Sequence, residues 1–203
     1  MLPKDKPLPS WLLILFFSFW LSATFIGLWW FQQDKVKAFV DIEQDLAYFQ
    51  PNSISQLLQP YLESAGPSLP EQRTLLHFWR PDCLCNRVSQ RHFSSLIEDY
   101  TPQQLRIIII AHPNSSEQDL DSLRELNGDR FIILRASDEL LSLPSSPSLA
   151  IIKEGQLNYF GPYGFGAFCT VREDGFLASI IDAPSQQSFT NVIGEGCFCR
   201  WRD

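Results

Sequence analysis

Residues 11–31, WLLILFFSFWLSATFIGLWWF, contain no charged side chain, and this run limits the chain more than any other feature. A helix of this length, at about 1.5 Å per residue, spans roughly the 30 Å core of a bilayer. Trp11, Trp29 and Trp30 lie at its two ends, where aromatic side chains favour the membrane interfaces. The run is also longer than the apolar core of a cleaved signal peptide. We therefore predict one transmembrane anchor over residues 11–31, after a short tail over residues 1–10.

The charges that flank this anchor do not decide which way it is oriented. Lys4 and Lys6 precede the run, and Lys35 and Lys37 follow it, so the rule of positive cytoplasmic flanks gives no answer. The sequence has five cysteines, and four of them form two close pairs. Cysteines in such numbers favour a compartment that permits disulfides, so we expect the rest of the chain to face that side.

Composition excludes a phosphate-binding surface. The chain of 203 residues has 16 Lys and Arg against 23 Asp and Glu, a net charge of -7, and no basic block. We expect no nucleic-acid partner. The length allows one ordinary domain in addition to the anchor.

Apolar spacing divides the remainder into a helical juxtamembrane linker over residues 32–70 and a domain over residues 71–203. In the linker, residues 36–49 have the spacing of an amphipathic helix, residues 53–64 that of a second short helix, and Pro-rich residues 65–70 end it.

The domain has an alternating pattern of strands and helices. Strands are predicted at 74–79, 105–111 and 130–135, helices at 86–100, 115–128 and 137–143, and a hairpin at 148–161 that turns at Glu154 and Gly155. The run LRIIIIA at 105–111 is apolar without alternation, which indicates a strand buried on both faces. Beyond it we predict a second hairpin, with strands at 167–171 and 176–181, and a last helix at 184–193. This is an α/β domain with a C-terminal hairpin and helix extension.

Two motifs in this domain resemble those of a known family. The strand LLHFW leads into WRPDCLCN, in which Cys83 follows Trp79 by four residues, and the stretch SSPSLAIIKEGQL comes later. The segment 74–161 therefore resembles a thioredoxin-like fold, a central mixed sheet flanked by helices. The resemblance implies that Cys83 is the attacking thiol, that Cys85 resolves the reaction, and that Pro147 is a cis residue opposite them.

The same resemblance suggests roles for three neighbouring residues. Ser146 would offer its backbone groups to a client peptide, and Trp79 would also contact the client. His77 stands where thioredoxins commonly carry a buried acid, so it is a candidate acceptor for the proton of the resolving thiol. The alternative is a strand histidine hydrogen-bonded to a neighbour.

The CxC spacing departs from the CxxC of thioredoxins. Residues two apart on a helix point about 200° away from each other, so a Cys83–Cys85 disulfide requires an irregular turn or a strained, more oxidising bond. The N-terminus of the following helix favours a thiolate, whereas the charge of Asp82 opposes it, and Arg80 and Arg87 offset that charge.

Three interpretations are open for Cys197 and Cys199 in the terminal GCFCRWRD. They form a second dithiol that exchanges electrons with the first pair, a disulfide that ties down the C-terminus, or part of a four-sulfur metal site. CxC fits a metal less well than CxxC, so we predict no metal and no cofactor. Cys169 remains a further candidate, and otherwise a small buried hydrophobe in a strand.

The whole chain resembles a membrane-anchored thioredoxin-like family of Gram-negative bacteria that has no assigned reaction. The leading hypothesis is therefore a single-pass inner-membrane protein whose soluble domain exchanges thiols and disulfides with periplasmic proteins. The alternatives are a redox-inactive binding or assembly module with structural disulfides and, third, copper or zinc handling by the cysteines.

Overall fold

The computed structural model describes residues 9–40, 49–127, 130–164, 175–183 and 188–202. The chain divides into two compact units, Met1–Lys35 and Val36–Asp203.

The first unit contains the predicted apolar helix. Helix α1 spans Ser10–Lys35, and Ser10–Phe31 has a mean hydropathy of 2.0. Its large apolar side chains are exposed, as is typical of a helix that contacts lipid rather than a protein core. By length and composition this helix is either a membrane anchor or a signal sequence.

The second unit is built around a mixed six-stranded sheet. Its strands are β2 (Arg73–Trp79), β3 (Leu105–Ala111), β4 (Phe131–Arg135), β6 (Ser148–Lys153), β7 (Gln156–Pro162) and β8 (Phe189–Thr190). They lie in the order β4-β3-β2-β6-β7-β8, with β2, β3 and β4 parallel and β6 antiparallel to both β2 and β7. The predicted strands at 74–79, 105–111 and 130–135 are confirmed.

Helices cover both faces of this sheet. Helices α3 (Leu84–Asp99), α4 (Glu117–Asn127) and α5 (Gly175–Asp182) pack on one face, where Ile107 and Ile109 of β3 point. Helix α2 (Pro51–Ser64) packs on the other face with Ile108 and Ile110. Strand β3 is therefore buried on both faces, as its uninterrupted apolar run predicts.

The predicted hairpin turn is also observed. Glu154 and Gly155 join β6 to β7 with φ angles of 52° and 76°. Two consecutive positive φ values match the right-handed twist of a two-residue hairpin, and glycine adopts one of them without a Cβ penalty.

The compact unit begins well before residue 71, where we placed the start of the domain. Residues 36–38, expected in an amphipathic helix, instead form strand β1 (Val36–Ala38). Phe39 and Phe49, which precede α2, and Leu58 within it are each at most 1% exposed and belong to the core on the α2 face. Residues 41–48 of the expected helix lie outside the described residues.

The region after residue 161 differs from its prediction. Residues 176–181, predicted as a strand, lie in α5, because Leu177, Ile180 and Ile181 have helical spacing and are buried together. Phe189 and Thr190, expected in a last helix, form the short β8 beside β7. The chain then adds β9 (Glu195–Cys197) and β10 (Cys199–Arg200).

Candidate functional site

The first CxC motif lies where strand β2 leads into helix α3. Cys83 is the residue before the helix, and Cys85 lies in its first turn. The Cys83 amide donates to the Arg80 carbonyl at 3.3 Å, and the Asn86 amide donates to the Cys83 carbonyl at 3.1 Å. These bonds fix Cys83 at the N-terminal end of the helix, where the peptide dipoles stabilise a thiolate.

Both cysteines of this motif are bonded to the C-terminal motif. One disulfide joins Cys83 to Cys199 and the other joins Cys85 to Cys197, with Cα separations of 5.8 Å and 5.6 Å. The sequence left the connectivity open, and in the structure Cys83 and Cys85 belong to separate bonds. Cys83 lies before the helix and Cys85 in its first turn, and each is bonded to a different cysteine of the C-terminal tail, residues 195–202.

The proline opposite the cysteines has the predicted geometry. The Ser146–Pro147 peptide bond is cis, and Pro147 is buried. The Ser146 carbonyl oxygen lies 3.6 Å from the sulfur of Cys83. The Ser146 hydroxyl lies 3.0 Å from the Phe78 carbonyl oxygen and 3.1 Å from the Asn86 side-chain oxygen. Ser146, Pro147 and Cys83 therefore lie together.

The backbone next to the cis proline is already paired. Strand β5 (Ser145–Ser146) forms an antiparallel ladder with β10, in which Ser146 faces Cys199 and Ser145 faces Arg200. This is the edge that we expected to hold a client peptide. In the structure it holds the C-terminus of the same chain.

The two disulfides differ in access. Cys85 is 6% exposed and Cys197 is 4% exposed, so both ends of their bond are buried. Cys83 is 2% exposed, but its partner Cys199 is only half-buried. Cys83 also lines a cleft of about 730 Å³ between α3 and α4, together with Trp79. The Cys83–Cys199 bond is the more accessible of the two.

Arg80 links the first motif to the tail. Its guanidinium forms an ion pair with Asp82 at 2.8 Å and donates to the Arg200 carbonyl. The hydrogen bond from Arg80, assisted by its charge, holds the pKa of the exposed Asp82 carboxyl below its usual range. Asp82 is therefore charged beside Cys83, and Arg80 partly neutralises it.

His77 has the contacts of a packed strand histidine. Its Nδ1 lies 2.8 Å from the Tyr163 hydroxyl, and its ring stacks on Phe93 with centroids 4.7 Å apart. Burial lowers the pKa of His77 to about 3. The imidazole is therefore neutral at physiological pH and a weak base, and these contacts match the alternative that we gave for this residue. Its role as a proton acceptor stays a prediction.

Sequence patterns missed the residues that seat the tail. Trp201 is fully buried, its ring lies edge-on to Phe78, and its carbonyl oxygen is 2.8 Å from Nε2 of His112. Phe198 is 3% exposed and contacts Phe39. The signal for this role was the pair of aromatic residues that flank Cys199 in CFCRW. Cys169 lies outside the described residues.

These features define the class of the protein. The mixed sheet, the cysteine at the N-terminus of the first helix after β2, and the cis proline before β6 together constitute a thioredoxin-like α/β fold. Residues 50–201 match the family described as a domain of unknown function, DUF6436, and the chain belongs to that family. A search of curated proteins found no match.

Solved structures with related topology have low sequence identity. A hypothetical protein of Sinorhizobium meliloti is 12% identical, with a TM-score of 0.49 over 65% of this chain and 80% of that one. A secreted disulfide oxidoreductase of Mycobacterium tuberculosis, described as homologous to E. coli DsbE, is 15% identical, with a TM-score of 0.44 over 57% and 84%. A thioredoxin-like protein of Aeropyrum pernix is 15% identical, with a TM-score of 0.44 over 64% and 97%. We base the fold assignment on the topology of the chain itself.

Proposed function

We propose that this chain is a membrane-anchored thiol-disulfide oxidoreductase that acts on protein thiols or disulfides in the bacterial periplasm, with Cys83 as its nucleophile. The observation that carries this proposal is the position of the Cys83 sulfur. It lies at a helix N-terminus and 3.6 Å from the carbonyl before cis Pro147. A disulfide exchange site needs a stabilised thiolate beside an edge that can hold an extended chain, and this position supplies both.

Features of each unit support the proposed location. The exposed apolar helix α1 supports a single-span inner-membrane anchor, and two disulfides support an oxidising compartment such as the periplasm. Retention of α1 in the mature protein distinguishes an anchor from a signal sequence. The mass of the protein purified from membranes measures this directly, and loss of the first 30 or so residues would contradict the anchor.

The central experiment is a redox titration of the full chain in detergent against glutathione buffers. We expect the Cys83–Cys199 pair to equilibrate between about -120 and -270 mV, the range of exchange-active dithiols. Cys83→Ser should lower the rate of exchange with glutathione disulfide roughly 100-fold or more, because it removes the attacking thiolate. If neither disulfide opens above about -300 mV, the bonds are structural and the proposal is wrong.

A second candidate function is a binding or assembly module in which both disulfides only hold the fold. Burial of Cys85 and Cys197 on both sides of their bond favours it for that pair. A third is metal handling, because the sulfurs of Cys83, Cys85 and Cys199 lie within 4.8 Å of one another. Thiolates so placed are ligands of the kind that zinc and copper(I) bind. Metal analysis of the reduced protein, purified without oxygen, separates this candidate from the other two.

A further inference from the structure

The tail is bound to the active site in the manner of a substrate. Cys199 is bonded to Cys83, and its own strand pairs antiparallel with Ser145–Ser146 beside the cis proline. An extended client in a mixed disulfide with Cys83 would use the same sulfur and the same edge. Client and tail therefore cannot occupy this edge together.

The tail also has a built seat on either side of Cys199. Trp201 is buried against Phe78, and the Arg200 carbonyl accepts a hydrogen bond from Arg80. Phe198 packs edge-on against Phe39, with ring centroids 5.1 Å apart. These contacts hold Cys199 beside Cys83.

The second disulfide keeps the tail near this seat. Cys197 is bonded to Cys85 and lies in a ladder with β1, where it faces Val36. Cys199 is two residues beyond this anchor, so it cannot diffuse away when its own bond opens. A thiol on so short a tether acts at an effective concentration on the order of millimolar.

From this geometry we infer that Cys199, rather than Cys85, is the resolving thiol, and that its strand displaces the client from the Ser145–Ser146 edge while Cys85–Cys197 stays closed. The inference rests on the proposed function and names the residue that completes its reaction. Cys85 is unsuited to the task, because its sulfur is engaged with Cys197 in a bond that is buried at both ends.

The reaction is balanced in two exchanges. The Cys83 thiolate attacks one sulfur of a client disulfide, a Cys83–client bond forms, and the other client sulfur leaves as a thiolate. The Cys199 thiolate then attacks the Cys83 sulfur, forms Cys83–Cys199 and releases the second client thiolate. The client disulfide gains two electrons and the Cys83 and Cys199 thiols lose them and two protons; the reverse sequence oxidises a client dithiol.

The test uses the full chain in detergent, with glutathione disulfide as the oxidised probe. Wild-type protein is first treated with one equivalent of dithiothreitol, and the products of the probe reaction are trapped by acid and mapped by mass spectrometry. We expect the final bond to be Cys83–Cys199. In Cys199→Ser, the Cys83–glutathione adduct should persist about 100-fold longer at roughly 10 µM added thiol, because the millimolar internal thiol is gone.

The double variant Cys85→Ser/Cys197→Ser is the matched control, because it removes both cysteines of the other bond and so leaves neither of them as an unpaired thiol. It should still resolve the adduct through Cys199, but more slowly than the wild type, because the Cys85–Cys197 tether is gone and only the contacts of Phe198 and Trp201 hold the tail. Persistence of the adduct in this control together with wild-type resolution in Cys199→Ser would overturn the inference and leave the proposed function intact. If no variant forms the Cys83 adduct, the proposed function fails and the inference fails with it. The wild-type bond map gives the answer even if a variant does not fold.

Discussion

Two disulfides lie side by side in this protein and have different surroundings. Cys85–Cys197 is buried at both ends and lies beside the β1–β9 ladder, whereas Cys83–Cys199 has a half-buried end and lies at the cleft and the cis proline. Which disulfide exchanges depends on whether an attacking thiol can reach one of its sulfurs and whether the other sulfur can leave as a thiolate. The comparison shows that two motifs with the same CxC spacing place their disulfides in different surroundings, one buried at both ends and one with a half-buried end.

The largest expected effect concerns what each bond does for stability. Their sequence separations of 116 and 112 residues are nearly equal, so either bond closes the same long loop. When one pair is replaced by serines, the other disulfide still closes the long loop, and only the small ring between the two bonds is lost. This should lower the free energy of unfolding by about 2 kcal/mol, whereas replacing both pairs opens the long loop and should lower it by about 7 kcal/mol. Urea unfolding of the three serine variants measures this, and equal additive losses would contradict the shared-loop account.

The next largest effect concerns Trp201, which holds the tail beside the Cys83–Cys199 bond. Trp201→Ala should cost about 3 to 5 kcal/mol of unfolding free energy, because it empties a fully buried site beside Phe78. It should also slow resolution by Cys199 while leaving formation of the Cys83 adduct in place. Trp201→Phe keeps an aromatic ring there and should recover most of both quantities. An alanine variant that resolves adducts at the wild-type rate would show that the tail needs no seat.

The third prediction concerns pH and the histidine behind the cysteines. Burial lowers the pKa of His77 to about 3 in the folded state, against about 6.5 when unfolded, so the unfolded chain binds the extra proton between these values. His77 therefore leaves the free energy of unfolding independent of pH above about 6.5. As the pH drops from there towards 3, this free energy falls by about 1.4 kcal/mol per pH unit. His77→Gln should flatten this slope in urea unfolding. A change in the pH profile of exchange instead would support the proton-acceptor role.

The smallest effect concerns the charge of Asp82, next to the Cys83–Cys199 bond. Asp82 is 66% exposed and paired with Arg80, so its influence on the Cys83 thiolate is screened by solvent. Asp82→Asn should accelerate attack by Cys83 about two- to fivefold at low salt, and less at high salt. Glu117→Gln, an exposed acid paired with Arg135 on another element, is the control and should leave the rate unchanged. A slower Asp82→Asn variant would show that the carboxylate assists the exchange.

Local sequence patterns were sufficient for the part of the site formed by neighbouring residues. The strand into Cys83 and the helix after it follow from local apolar patterns. The cis bond at Pro147 was implied by the resemblance to thioredoxins, and the structure has it. The cysteine pairing did not follow, because five cysteines allow many connectivities and only the three-dimensional fold selects one. The strands β1 and β9 were also missed, because a strand of three residues is too short to show an alternating apolar pattern.

The extension after residue 161 shows a different limit. The run FLASII has β-branched residues typical of a strand, but its place against the sheet buries Leu177, Ile180 and Ile181 on one helical face. No sequence pattern assigned a role to Trp201 or Phe198, and only the fold shows that both belong to the core on the α2 face. Tertiary packing, rather than local propensity, decided both.

The most direct test of the central claim is a disulfide map of the native protein as a limiting dithiol reductant is added. The account predicts Cys83–Cys199 and Cys85–Cys197 in the oxidised protein, and of these four cysteines Cys83 and Cys199 should be the first to become alkylated. A map with Cys83–Cys85 and Cys197–Cys199, or one in which Cys85–Cys197 opens first, would contradict it.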